Sequence, residues 1–104
     1  MIPTPGRIVE YTLNAQDAEA INRRRADAAQ NLTKHREDAD GSVIHVGNSV
    51  SAGDTYPLVI VRCWGQTEQS SVNGQLLLDG NDSYWVTSAG QGDGERQWRQ
   101  YPRV

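Results

Sequence analysis

The rhythm of apolar positions changes at Gly41. From Asn14 to Asp40 the chain has no glycine, no proline and no aromatic residue. Its apolar residues Ala18, Ile21, Ala28, Ala29 and Leu32 recur at the spacing of one helix face. Asn14 is a good N-cap, and Asp17 three residues on imitates a capping box while favouring the positive helix end. The pattern predicts a helix from Ala15 to about Arg36, roughly 33 Å long at ~1.5 Å per residue. That exceeds the span of a small barrel, so its far end is expected to project, fray or pack on another copy.

On either side of this stretch the period falls to two. Pro3 and Pro5 hold Met1–Gly6 extended, and Arg7–Leu13 follows as a strand. Val9, Tyr11 and Leu13 share one of its faces, Ile8, Glu10 and Thr12 the other. After Asp40 come nine of the ten glycines and all three tryptophans. Val43–Val46 reads as a short strand. Tyr56–Trp64 is the strongest one, its run Leu58-Val59-Ile60-Val61 expected to be buried on both faces. Val72–Leu78 and Tyr84–Thr87 form a hairpin across Asp79-Gly80-Asn81-Asp82, and Gln97–Tyr101 is a last strand. The fold predicted is α+β in a single domain, residues 1–104. It is a small antiparallel SH3-like β-barrel with one long helix inserted after the first strand, the strand at 7–13, the helix at 15–36 and the β-rich part at 42–101.

Composition sharpens this picture. In 104 residues with 37% apolar content and no phenylalanine, tryptophan, tyrosine and the Val/Ile/Leu runs must fill the core. So small a core makes a homo-oligomer the expectation. Net charge is −3, and no segment is strongly basic; binding to duplex nucleic acid, which rests on phosphate neutralisation, is not expected. One cysteine, Cys63, excludes an internal disulfide and fits a reducing cytosol. Neither a signal peptide nor an apolar run near the ~20 residues of a membrane helix is seen, which points to a cytoplasm.

Candidate chemistry is sparse. His35, His45 and Cys63 lack metal-ligand spacing, so no metal and no cofactor is expected. There is no GxSxG, and the serines lie where turns use serine. Asp79 and Asp82 suit backbone capping at a hairpin better than acid–base work. Gly90, Gly92 and Gly94 suit a plain loop better than an anion nest, since no helix follows and Asp93 and Glu95 would repel phosphate. Arg25 is the exception, because it falls on the apolar stripe between Ile21 and Leu32. A guanidinium there must snorkel, pair with a buried acid, or face a ligand. Trp64, Tyr84, Trp85, Trp98 and Tyr101, interleaved with Arg62, Asn73, Arg99 and Arg103, are tools of nucleotide recognition. Filling the core calls for two of the three tryptophans and leaves one, Trp85 or Trp98, for a site.

The opening Met-Ile-Pro-Thr-Pro-Gly-Arg-Ile-Val-Glu-Tyr-Thr-Leu, with Ile-Asn-Arg-Arg-Arg-Ala-Asp at 21–27, His-Val-Gly-Asn at 45–48, Gly-Asp-Thr-Tyr-Pro at 53–57 and Leu-Leu-Asp-Gly-Asn-Asp-Ser-Tyr-Trp-Val-Thr-Ser at 77–88, resembles a family of small proteins of tailed bacteriophages and prophages. The resemblance covers nearly the whole chain and implies a context, the host bacterial cytoplasm, but no catalytic residues. The family's usual Trp-x-Trp-Pro-like end departs here to Trp98-Arg99-Gln100-Tyr101-Pro102. By analogy with phage sponges that sequester immune signals, the expected function is a non-enzymatic accessory, anti-defence protein. Its ligand would be nucleotide-derived, a cyclic nucleotide or an ADP-ribose derivative. Arg25 would take phosphate, Trp85 or Trp98 would stack on a base, and His45 and Asn48 would hydrogen-bond near the Gly47 turn. The alternative is a protein-binding or minor virion module, marked by an exposed apolar or aromatic patch in place of a small-ligand pocket. A third reading, a phosphodiesterase-like enzyme, would use His45 as general base.

Overall fold

The computed structural model describes residues 1–38, 48–80 and 82–102 and, within the helix, side chains as far as Asp27. Its elements are β1 (Ile8–Thr12), α1 (Ala15–Asp38), β2 (Thr55–Cys63), β3 (Val72–Leu77), β4 (Ser83–Gln91) and β5 (Gln97–Arg99). The expected strand at Val43–Val46 lies outside the described residues. The five strands close into a barrel in the order β1-β2-β3-β4-β5, with one helix following the first strand.

Closure departs from the all-antiparallel expectation. β5 pairs antiparallel with β1, through Glu10↔Arg99 and Tyr11↔Trp98, but parallel with β4, through Gly90↔Gln97 and Gln91↔Trp98. Parallel neighbours usually need a long crossover; here the pairing is so short that residues 92–96 turn the chain back alongside itself. The Gly92 N–H donates to Trp98 O at 2.9 Å, and the Arg96 N–H to Thr12 O at 2.7 Å. Among the described residues most of β4 therefore has no strand on that side, and arginines reach its carbonyls. Arg24 Nη2 donates to Ser83 O at 2.8 Å, and both Arg96 terminal nitrogens reach Thr87 O at 3.3 and 3.1 Å.

The interior is lined at period two except in β4, where the irregular pairing around Ser88 sets the two buried positions three apart. Val9, Tyr11 and Leu13 are buried from the first-strand segment, Leu58 and Ile60 from β2, Val72 and Leu76 from β3, and Val86 and Ala89 from β4. Trp98 of β5 is the largest fully buried side chain. Gly74 pairs with Ile60 and Val86, and a Cβ there would collide with the Val59 carbonyl, so β3 needs a glycine for its close approach to β2. Burial of Leu58–Val61 on both faces does not occur: Leu58 and Ile60 point inward, while Val61 is 51% exposed. The physical reason is closure. A sheet curled on itself supplies its own inner layer, and the described helix face covers one end of the barrel rather than the outside of β2.

Local chemistry joins helix to barrel. The predicted capping box forms, with Asp17 N–H donating to Asn14 Oδ1 at 2.8 Å and Asn14 N–H to Asp17 Oδ2 at 3.2 Å. Tyr11 donates its hydroxyl to the same Asp17 oxygen at 2.5 Å inside the core, so one carboxylate serves cap and strand together. Burial first, and the Asp17 contact second, raise the Tyr11 pKa far above its ordinary value. Ala18 and Ile21 face inward as the stripe predicts. One turn on, Asn22 clamps Val50: its Nδ2 donates to Val50 O and its Oδ1 accepts from Val50 N–H, both at 2.8 Å.

Candidate functional site

Arg25 lies on the helix face that carries Ile21 and is only 5% exposed. Its surroundings are supplied by the β3–β4 hairpin. Nη2 lies 3.0 Å from Asp79 Oδ1 and 3.4 Å from Asp82 Oδ1, and Nη1 donates to the Asn48 carbonyl. Asn48 Nδ2 in turn donates to Asp79 Oδ2 at 3.4 Å. Burial pulls the Asp79 pKa upward, but the Arg25 hydrogen bond and charge, with backbone N–H donors, outweigh it and hold the carboxyl below its ordinary value. Burial likewise works against the Arg25 cation, and the two aspartates more than compensate. The hairpin carboxylates are therefore neither a general acid–base pair nor simple turn caps; they are the counter-ions of a buried arginine. Of the expected ligand residues, Arg25 and Asn48 do come together, but both terminal guanidinium nitrogens are engaged by the Asn48 carbonyl and the hairpin. Only the buried Arg25 Nε–H lacks an acceptor among the described residues.

The other expected residues disperse. Trp98 fills the barrel at 0% exposure, and its buried Nε1–H finds no acceptor among the described residues. A ring with no accessible face cannot stack on a base, so the role expected for it is corrected to core. Trp85 stands on the outer surface of β4, 45% exposed, opposite Gln75. His45 lies outside the described residues. Only one tryptophan, not two, is core: Trp98 is enclosed by the barrel, while Trp64 and Trp85 are about half exposed. The glycine loop carries no open nest: Gly94 N–H is taken by Gln97 Oε1 at 2.9 Å.

Trp64, Arg62 and Asn73, counted among the recognition residues in the sequence but not kept for the site, come together at the end of β2. Val61 is an extra residue in the β2–β3 ladder, after which Arg62 pairs with Asn73 and Arg62 and Trp64 share the outer face. The Arg62 guanidinium carbon sits 4.1 Å from the centre of the Trp64 ring. Trp64 is 54% exposed, yet it is anchored: Nε1–H donates to Asn73 Oδ1 at 3.1 Å. The same oxygen accepts the Ser88 N–H at 2.8 Å, from a residue held at φ 54°. Arg62 pairs with no carboxylate among the described residues. The available signal was the Arg62-x-Trp64 spacing on a strand, which places both side chains on one face.

Arg62 also lines an open groove of about 990 Å³, formed by Ile2, Pro3, Thr4 and Pro5 on one side and the end of β2 on the other. The leading segment is docked there by backbone bonds, Gly6 N–H to Ile60 O at 2.7 Å and Ile60 N–H to Arg7 O at 2.9 Å. Gly6 adopts φ 88°, which only glycine takes without strain. Ile2 and Val61 are each about half exposed and give the groove an apolar character. Cys63 lines it too, but burial raises its thiol pKa, the opposite of what a reactive thiolate requires. The described residues hold no group of three His, Cys, Asp or Glu that could bind a metal.

The chain matches no protein-family model, no curated protein and no solved structure. No helix among the described residues is long and apolar enough to cross a membrane.

Proposed function

We propose that this chain is a non-enzymatic binding module that contacts a macromolecular partner through the groove beside Arg62 and Trp64. We also read the barrel as SH3-like, from its sequential strand order and the single turn that leads into β5. The observation that carries the function is an exposed tryptophan pinned by Asn73 and stacked on an arginine at the rim of an open, apolar groove. A surface indole with a fixed orientation has already lost the freedom that binding would otherwise remove. Tryptophan and arginine are the residues that dominate interface energies. Sites for small ligands enclose most of the ligand surface, whereas a groove open along one side suits a chain segment.

The role as a phage accessory protein in a bacterial cytoplasm is part of this proposal and rests on the sequence resemblance. Sequestration of a nucleotide-derived signal is the second reading. It is favoured by the Arg62–Trp64 pair, which joins a flat ring to a cation, and opposed by the commitment of Arg25 to Asp79 and Asp82.

The deciding experiment uses affinity capture from host lysate with wild type and with Val61→Asp, alongside a thermal-shift panel of cyclic nucleotides and cyclic ADP-ribose isomers. A protein captured by wild type and lost with Val61→Asp supports the module. A ligand at a hundred times its dissociation constant adds about 2.7 kcal/mol, or several degrees. Such a shift, with no groove-dependent capture, replaces the module with the sequestering protein.

A further inference from the structure

Resting on the binding-module reading, we propose that the groove takes an extended peptide segment carrying an Asp or Glu flanked by apolar residues, with the carboxylate seated on Arg62. The argument is charge complementarity. Among the described residues that line the groove, Arg62 is the single charged side chain. Several arginines elsewhere are matched by carboxylates, Arg23 by Glu19, Arg24 by Asp82, Arg25 by Asp79 and Asp82, and Arg99 by Glu10, while Arg96 donates to the Thr87 carbonyl. Arg62 instead rests on an indole.

That contact uses only the flat face of the guanidinium. Its N–H donors lie in the plane and remain directed outward, in the fork geometry that matches a carboxylate. Trp64 cannot swing away without breaking its bond to Asn73, so the indole surface on which the guanidinium stacks is in place before any partner arrives.

The groove supplies the second half of the specificity. Ile2 and Val61 are about half exposed on its two sides, and an extended segment presents alternate side chains to such a surface. An acidic residue on Arg62 thus presents the side chains two positions away to Ile2 and Val61. A phosphate ester would satisfy Arg62 equally well, but its body would lie half in water along the open side. A second copy of this chain is the remaining occupant, and the experiment separates it.

An immobilised library of short peptides randomised over Leu, Val, Pro, Tyr, Ser, Asp and Lys is screened with the full chain. Bound sequences are then measured by fluorescence anisotropy in matched Asp, Asn and Lys versions. The expected result is enrichment of Asp and about tenfold weaker binding of the Asn version, the scale of one charge-assisted contact. Arg62→Glu should invert the order, so that the Lys version binds best. Trp64→Leu should weaken the Asp version several-fold, with the fold confirmed by an unchanged thermal midpoint. Peptides that bind the groove regardless of charge, and lose binding with Val61→Asp, overturn the acidic-segment inference and leave the module intact. No peptide binding overturns both. A Val61-dependent dimer seen by sedimentation, in place of peptide binding, assigns the groove to a second copy and overturns the inference as well.

Discussion

Two arginines on this molecule have opposite fates. Arg25 sits on a helix, is almost wholly buried, and turns both terminal nitrogens to Asp79, Asp82 and the Asn48 carbonyl. Arg62 sits on the outside of a strand, stacks on Trp64 and meets no carboxylate among the described residues. The tryptophans divide the same way, Trp98 inside the barrel and Trp64 half in solvent. A buried ion cluster is demanded by the fold once the arginine is there, because an unpaired buried charge is costly. A stacked, unpaired surface arginine answers no such demand. Residue type identifies candidates; whether their polar groups are already used separates structure from site.

The sharpest test of this division starts inside. Trp98→Ala should destabilise the domain by about 4 kcal/mol, within the range for emptying a core aromatic, and lower the thermal midpoint by roughly 20 °C. If it melts like wild type, the interior assignment is wrong.

Arg25→Ala should cost about 2 kcal/mol. The loss is smaller than for a fully enclosed pair because Asp79 and Asp82 are partly exposed. Chemical denaturation measures it, and Arg25→Lys should recover little, since an ammonium cannot span both aspartates and the carbonyl. Tyr11→Phe, which strips a buried donor from Asp17, should cost about 1–2 kcal/mol in the same assay.

Acid probes the buried cluster separately. Asp79 has a depressed pKa in the folded state, so its contribution is complete above the unfolded carboxylate value and disappears as pH falls through the folded one. Unfolding curves should therefore show wild type losing stability below about pH 4. Arg25→Ala should show a shallower loss there, because the cause of the shift is gone. An identical slope in both proteins would falsify the pairing as the origin of the acid sensitivity.

At the other extreme, Arg62→Ala should leave stability within about 0.5 kcal/mol of wild type, as befits an exposed residue without an ion pair. A fall as large as that of Arg25→Ala would erase the distinction between the two arginines.

Much of this protein was legible in its pattern. The helix start at Ala15, its Asn14/Asp17 cap, the inward set Val9, Tyr11 and Leu13, and the place of Arg25 on the apolar helix face all follow from periodicity and capping chemistry, which act between near neighbours in the chain. The candidate site was not legible, because its parts meet only across strands. Asp79 and Asp82 read as turn residues until the hairpin closed onto the helix, fifty-odd positions from Arg25. Trp98 was indistinguishable from Trp85 until residues 92–96 turned β5 back against β4 and drove its ring into the barrel. Trp64 and Arg62 stood in one strand from the start, but Asn73, which fixes the indole, belongs to β3, and the groove wall belongs to Ile2–Pro5. Local sequence determines which way a side chain faces its own element. Only the long-range register of the barrel decides what that side chain then meets, and so which arginine is spent and which is left for a partner.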